Sequence, residues 1–230
     1  MSFNSKPKSF VTRQGRITSN QRKALDSFWN LFVIRNISEI REHIDNKYTL
    51  LDIGFGAGET LISIAQKNKE IRLLGVEVYL SGIGSVLSKI NEYNLRNIRV
   101  VSEDAEDLLQ TKIPNSSLDA VIMFYPDPWP KRKHHKRRLI KEEFLELLNK
   151  KLKINGIFYF KTDWKDYFDD VSDLIKENPS WIEIDYKDLE DHLRDIPSTS
   201  FEKKAKQSNR ALNTKILKKI KEAKKVNSLK

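Results

Sequence analysis

Asp127 stands between two prolines in Tyr125-Pro126-Asp127-Pro128-Trp129-Pro130, and eight residues without an acid follow it: Lys131, Arg132, Lys133, His134, His135, Lys136, Arg137 and Arg138. Three prolines in five residues restrict the backbone and forbid a helix, so the Asp127 carboxylate has little freedom. A positioned acid beside six formal cations suits a site in which the carboxylate faces a base or a cofactor while the cations hold phosphates. Trp129 offers a ring that either stacks on a base or packs in the core. His134-His135 lacks a matching ligand cluster and sits among cations, so no metal is expected there.

A second chemical stretch is Asp52-Ile53-Gly54-Phe55-Gly56-Ala57-Gly58. Glycines at the carboxyl end of a strand permit positive φ and close approach of backbone to a ligand. The dinucleotide spacing G-x-G-x-x-G would place its third glycine at 59, where Glu59 stands. The pattern here is G-x-G-x-G, preceded by an acid that would repel a pyrophosphate. A carboxylate suits a cofactor with an ammonium and a sulfonium, as in S-adenosylmethionine. Glu77, placed for a ribose, and Asp104, placed near an adenine, close the next two strands. Any one of the three acids could be an ordinary loop residue; three at successive strand ends beside a glycine loop form a constellation.

The elements that position these residues read as alternating strands and helices. Runs rich in Val, Ile, Leu and Phe predict buried strands over 49–55, 71–78, 98–102, 118–125, 157–162 and 181–185. Helical periodicity is expected from Asn20, over 38–44, 59–66, 80–93 and 140–152 (closed by Asn155-Gly156), and over 164–176. Strands alternating with helices argue for βαβ units: an α/β fold with a doubly wound, mostly parallel sheet and helices on both faces. The organisation expected is a basic arm and helical extension over 1–45, a catalytic domain over 46–215 and a Lys-rich tail over 216–230.

Charge distribution narrows the partners. The chain carries net charge +10. Residues 203–230 hold eleven Lys or Arg and one Glu, and residues 1–23 hold six and no acid, so the body between them is net acidic. Basic ends on an acidic body attract a polyanion and leave room for an acidic pocket. There are no cysteines, which excludes disulfides, zinc–thiolate sites and cysteine nucleophiles and suits a reducing, cytoplasmic setting. No apolar run approaches the ~20 residues of a membrane span, and the N-terminus lacks the apolar core of a secretory signal.

With these motifs in place, the chain resembles the bacterial tRNA (guanine-N7-)-methyltransferases, S-adenosylmethionine-dependent enzymes that act on a guanine of the tRNA variable loop. Ser9-Phe10-Val11, Arg13, Gly15, Arg16, Thr18, Gln21, Ala24 and Leu25 are similar to the family's N-terminal signature. DIGFGAG, VEV, PDPWPK with HHKRR, Thr162-Asp163 and Thr199-Ser200-Phe201-Glu202 complete the likeness, which spans nearly the whole chain. It implies a seven-stranded Rossmann-like methyltransferase fold and a monomer or homodimer. It further implies cofactor contacts from Asp52, Gly54, Gly56, Gly58, Glu77, Asp104, Ala105 and Asp127, with Asp127 as the active-site acid. Lys131, Asp163, Thr199, Ser200, Phe201 and Glu202 would meet the tRNA guanosine. The family usually has Glu where Asp52 stands and Gly where Asn209 stands. Guanine N7 has a lone pair and no proton, so Asp127 is expected to orient the base and balance charge rather than remove a proton. A methyltransferase for another substrate leaves the 131–138 cluster unexplained; a non-catalytic RNA-binding module leaves the acids unexplained; a nicotinamide dehydrogenase is disfavoured by Glu59.

Overall fold

The computed structural model describes residues 7–11, 15–208 and 210–222. Seven strands form one sheet: β1 (Thr49–Ile53), β2 (Arg72–Val76), β3 (Ile98–Val101), β4 (Leu118–Phe124), β5 (Leu152–Thr162), β6 (Trp181–Glu183) and β7 (Asn213–Lys219). Their order is β3-β2-β1-β4-β5-β7-β6. The first five are mutually parallel, and β7 runs antiparallel between β5 and β6. Strand order reverses between β1 and β4, and a ligand crevice belongs at the carboxyl ends of such a pair.

Strands buried on both faces need apolar side chains pointing both ways. Leu51, Ile53, Leu74 and Val76 face one helical layer, made by α2 (Ile37–Ile44), α5 (Ala105–Thr111), α6 (Glu142–Lys151) and α7 (Lys165–Lys176). Leu50, Leu73, Ala120 and Ile122 face the other, made by α1 (Ser19–Phe32), α3 (Glu59–Lys67), α4 (Leu80–Glu92) and the short α8 (Asp191–Arg194). A last helix, α9, covers Ser200–Gln207. No described helix is long and apolar enough to cross a membrane.

The N-terminal signature residues dock α1. Thr18 and Gln21 form a reciprocal capping box, which satisfies two otherwise orphaned backbone amides. Gln21 Nε2 also donates to Ser85 Oγ on α4 at 3.0 Å. The two helices approach closely because residue 84 is glycine; a Cβ there would lie 2.8 Å from the Gln21 carbonyl. Arg13 and Asn209 lie outside the described residues.

Two boundaries differ from the sequence reading by more than two residues. The helix expected to close at Asn155-Gly156 ends at Lys151, and β5 begins at Leu152 rather than Ile157. Leu152 already pairs with Leu118; the ladder then slips and resumes at Ala120 with Ile157. Asn155, at φ +67°, makes the left-handed bend of this irregularity. The Asn-Gly pair does mark a left-handed turn, but inside a strand pairing rather than after a helix.

β7 is the second difference: residues 216–219, assigned to the Lys-rich tail, belong to the sheet. Ile216 and Leu217 are buried, and so is Lys219. Lys219 Nζ donates to the carbonyls of Asn149 and Leu152, at 2.6 and 2.8 Å, and to Glu222 Oε1 at 2.8 Å. It thereby caps the carboxyl end of α6, where helix carbonyls lack intrahelical donors. Lys219→Met keeps the stem and strands those carbonyls in the interior. It is expected to destabilise the fold by about 2–3 kcal/mol, seen as a lower urea midpoint at unchanged m-value.

Candidate active site

The glycine loop begins where β1, buried along its length, runs out. Gly54, Gly56 and Gly58 have φ of +70°, +54° and +73°. A Cβ on Gly54 or Gly56 would meet nothing within 4 Å, so these residues turn bare backbone to open space. Gly58 is glycine for another reason: a Cβ there would lie 2.1 Å from Val86 Cγ2 of α4. Glu77 cinches the loop. Its Oε2 accepts from Gly56 N at 3.0 Å, and its Oε1 accepts from Val78 N and Tyr79 N at 2.7 and 3.0 Å.

Asp52 is buried beneath this loop. Burial, with the Glu77 charge adding to it, pushes the Asp52 carboxyl up to about 8. Asp104 caps α5, its Oδ1 accepting from Glu106 N at 2.8 Å and Asp107 N at 3.2 Å, with Ala105 the first residue of that helix.

Two cavities open at this sheet edge. One, of about 320 Å³, lies against Asp52, the loop from Gly54 to Thr60, Phe124, Tyr125, Thr199 and Phe201. The other, of about 250 Å³, is walled by Gly54, Gly56, Glu77, Asp104, Ala105 and Asp127, with Phe10 and Tyr79 alongside. Gly54, Gly56 and Tyr125 belong to both, so the cavities are lobes of one crevice.

Strand β4 delivers the proline-flanked acid to the rim. Tyr125 and Trp129, at φ +56° and +47°, bracket Pro126-Asp127-Pro128. Two bulky residues in the left-handed region turn the chain where the prolines cannot. Asp127 is exposed at the lip on one side while its carboxyl is walled on the other, and burial raises its pKa above the usual carboxylate value. Trp129 is neither core nor an open stacking surface. Its Nε1 donates to the Ser9 carbonyl at 2.9 Å, Arg137 lies over its ring at 4.4 Å, and His134 meets its edge at 5.9 Å. Partial burial and the cations Lys133, Arg137, Lys131 and Lys136 hold the His134 pKa down.

One member of the basic cluster does not face solvent. Arg138, expected to hold phosphate, is 2% exposed. It donates from Nε to the Pro128 carbonyl at 2.9 Å, from Nη2 to Asp166 at 2.6 Å and from Nη1 to Asp170, and it lies over the Tyr167 ring. Its work is to fasten the Asp127 loop to α7. His135, Asp166 and Asp170 carry ligand-type atoms within 4.8 Å of one another, and the Arg138 guanidinium sits on both acids as their counter-charge. Lys131, Arg132, Lys133 and Lys136 remain exposed.

On the opposite wall, Thr199 caps α9 by accepting from Glu202 N at 3.1 Å, and Ser200 opens the helix. Glu202 is buried, accepting from Tyr125 Oη at 2.9 Å and Lys161 Nζ at 3.0 Å. Burial pushes its carboxyl up, but the hydrogen bond and charge of Lys161, together with hydrogen bonds from Ser198 and Tyr125, outweigh this and leave it below the ordinary value. Asp163 is paired with Arg210. Phe201 is exposed and packs on the Tyr125 ring at 4.7 Å between centroids. The crevice thus gathers the glycines, Asp52, Glu77, Asp104, Ala105, Asp127, Thr199 and Phe201; Lys131, Asp163 and Glu202 stand outside its lining. Sequence reasoning passed over Lys161, Arg210 and the junction role of Tyr125. Lys161 had a signal: a cation at the end of the apolar run Ile157–Phe160. Arg210 had none.

Comparison with known proteins decides the family. Residues 46–215 match the family model described as "Putative methyltransferase". A tRNA (guanine-N(7)-)-methyltransferase of Shewanella amazonensis is 40% identical over 182 residues, 76% of each chain. One from Nitrosococcus oceani is 39% identical over 213 residues, 90% of this chain and 88% of its own. The chain belongs to the tRNA (guanine-N(7)-)-methyltransferase family. Its fold is shared more widely among methyltransferases. The aminoglycoside resistance methyltransferase NpmB1 superposes with a TM-score of 0.58 at 18% identity, over 81% of this chain and 95% of its own. The 16S rRNA methyltransferase KamB superposes with a TM-score of 0.54 at 13% identity, over 81% and 94%.

Within this family member the Arg138 clamp makes a separable prediction. Arg138→Ala leaves the Pro128 carbonyl and both carboxylates without their shared partner. The acids are half exposed, so water compensates part of the loss; the expected destabilisation is about 2 kcal/mol, read as a lower melting temperature.

Proposed function

We propose that this chain transfers the methyl group of S-adenosylmethionine to N7 of a guanine in the variable loop of tRNA. The observation that carries the reading is the placement of Asp127 on the wall of the same cavity as the open backbone of Gly54 and Gly56 and the carboxylate of Glu77. This arrangement occurs in a member of the tRNA (guanine-N(7)-)-methyltransferase family.

The residues fit the donor. Gly54 and Gly56 leave a cradle that any Cβ would enter. Asp52, beneath the loop, is the counter-charge for an ammonium. Glu77 already accepts three amide protons, two at Oε1 and one at Oε2, and Oε2 keeps one acceptor site for a ribose hydroxyl. Asp104 and Ala105 flank the place of an adenine. The bound donor supplies a methyl group made electrophilic by a sulfonium.

N7 needs no base, so this chain's task is alignment and charge. Asp127 orients guanine by accepting from its N1–H and exocyclic amine, and it balances the positive charge that reaches the purine. Thr199 and Phe201 form the base side, with Asp163 and Glu202 supporting it through Arg210, Tyr125 and Lys161. Lys131, Arg132, Lys133 and Lys136 hold phosphates, and such contacts make binding salt-dependent.

The test incubates the protein with labelled S-adenosylmethionine and unmodified tRNA and maps the methylated nucleoside. N7-methylguanine in the variable loop is expected; a methyl group elsewhere overturns the reading. Asp127→Ala should lower turnover by roughly a hundredfold or more while tRNA affinity and melting temperature stay close to wild type.

Cofactor affinity should depend on pH with a defined sign. In the free protein Asp52 holds its proton up to about pH 8. An ammonium beside it favours the carboxylate, so binding releases that proton. Affinity for S-adenosylhomocysteine is therefore expected to rise as pH approaches 8 and to fall again at higher pH, where the ligand's own ammonium loses its proton. Asp52→Asn should flatten the rise, and calorimetry in buffers of different ionisation enthalpy counts the proton.

A further inference from the structure

Tyr125 is the residue at which the lines of the site cross. It walls both lobes of the crevice. Its backbone stands at φ +56°, an uncommon conformation for a bulky side chain. Three contacts hold it there. Its N–H donates to the Lys161 carbonyl at 2.8 Å, its hydroxyl donates to Glu202 at 2.9 Å, and its ring packs on Phe201 at 4.7 Å with the planes 32° apart. Lys161 in turn holds Glu202. The ring is thus fixed at its backbone, at its tip and on its face, while Phe201 remains 42% exposed. Fixed aromatic surface beside an open cavity is what a nucleobase stacks on, because every base has a π-face.

Resting on the function proposed above, we infer that Tyr125 is a positioning residue whose ring, paired with Phe201, is the stacking platform that holds the target guanine at the junction of the two lobes. Asp127 follows two residues later, so platform and acid belong to one rigid turn. Stacking fixes the plane of the base, and Asp127 fixes its rotation within that plane. The Tyr125 hydroxyl transmits Glu202 to the platform rather than to the base. Strain at Tyr125 is compensated by those three contacts, and its use is orientation: a ring on a left-handed residue points where a strand residue's ring would not.

The test compares Tyr125→Leu, Tyr125→Phe and Phe201→Ala with wild type, using the full chain. The readouts are single-turnover methylation of tRNA, S-adenosylhomocysteine affinity, melting temperature, and fluorescence of a tRNA carrying 2-aminopurine in place of the guanine that wild type methylates. Stacking quenches 2-aminopurine. Wild type should quench it on binding, and Tyr125→Leu and Phe201→Ala should not. Those two variants should lose tenfold or more in methylation rate while their cofactor affinity changes by less than threefold. Tyr125→Phe, which keeps the ring and loses the bond to Glu202, should recover quenching and most of the rate.

Equal quenching by Tyr125→Leu and wild type overturns the inference. So does a loss in Tyr125→Phe as large as in Tyr125→Leu, which would place the effect in the hydroxyl. A parallel loss of cofactor affinity would assign the ring to the cofactor lobe. Phe201→Ala lies on the surface, so its quenching decides the matter even if Tyr125→Leu folds poorly. Absence of N7-methylguanine with the wild-type protein fails the functional reading itself, and the quenching variants are then not its cause.

Discussion

Where β1 and β4 lie side by side, the chain leaves their carboxyl ends in opposite directions, and no connection can cover the gap between them. That constraint creates the crevice. Everything chemical in the protein is then a matter of what the two strands deliver to the opening. β1 delivers Asp52 and backbone bare enough to touch a ligand. β4 delivers Tyr125 and Asp127. The neighbouring β2 adds Glu77, which hydrogen-bonds across to Gly56 and so binds the two strand ends into one surface. Separate loops could carry the same residues, but each would have to be ordered independently, at the entropic cost that a shared sheet edge avoids.

Charge is used in two different ways, and net charge does not distinguish them. Arg138, Lys161 and Lys219 are cations turned inward. Each satisfies carbonyls or carboxylates of the fold, and none is available to a polyanion. Lys131, Arg132, Lys133 and Lys136 face water and carry the field that a phosphate backbone would meet. The basic segment is therefore anchored by its own last arginine. Arg138 bonds the Pro128 carbonyl, one residue from Asp127, so the outward cations and the acid move as one piece with α7.

Rigidity in the rim comes from more than the prolines. Pro126, Pro128 and Pro130 restrict φ, yet the turns that aim Asp127 are made by Tyr125 and Trp129 in left-handed conformations. Both are held by tertiary partners: Glu202 and Phe201 for the first, Ser9, Arg137 and His134 for the second. The acid is thus positioned by residues far away in the chain, from the N-terminal segment to α9.

What the amino-acid order determined by itself is everything encoded in local pattern. Apolar runs of strand length, alternating with helical periodicity, define a doubly wound sheet, because only strands buried on both faces tolerate them. The G-x-G-x-G spacing after Asp52 and the acids Glu77 and Asp104 mark the crevice for the same reason: position at a strand end is a local property. The tertiary structure alone decided which charges are buried. Nothing in the spacing of Lys-Lys-Ile-Lys at 218–221 reveals that Lys219 caps a helix some seventy residues earlier, nor does the run from Lys131 to Arg138 reveal that its last member turns inward. The bulge in β5, the strand hidden in the lysine-rich β7 and the Tyr125–Glu202–Lys161 network have the same origin. Each depends on partners brought together by folding, and a contact between residues distant in sequence leaves no periodicity to read.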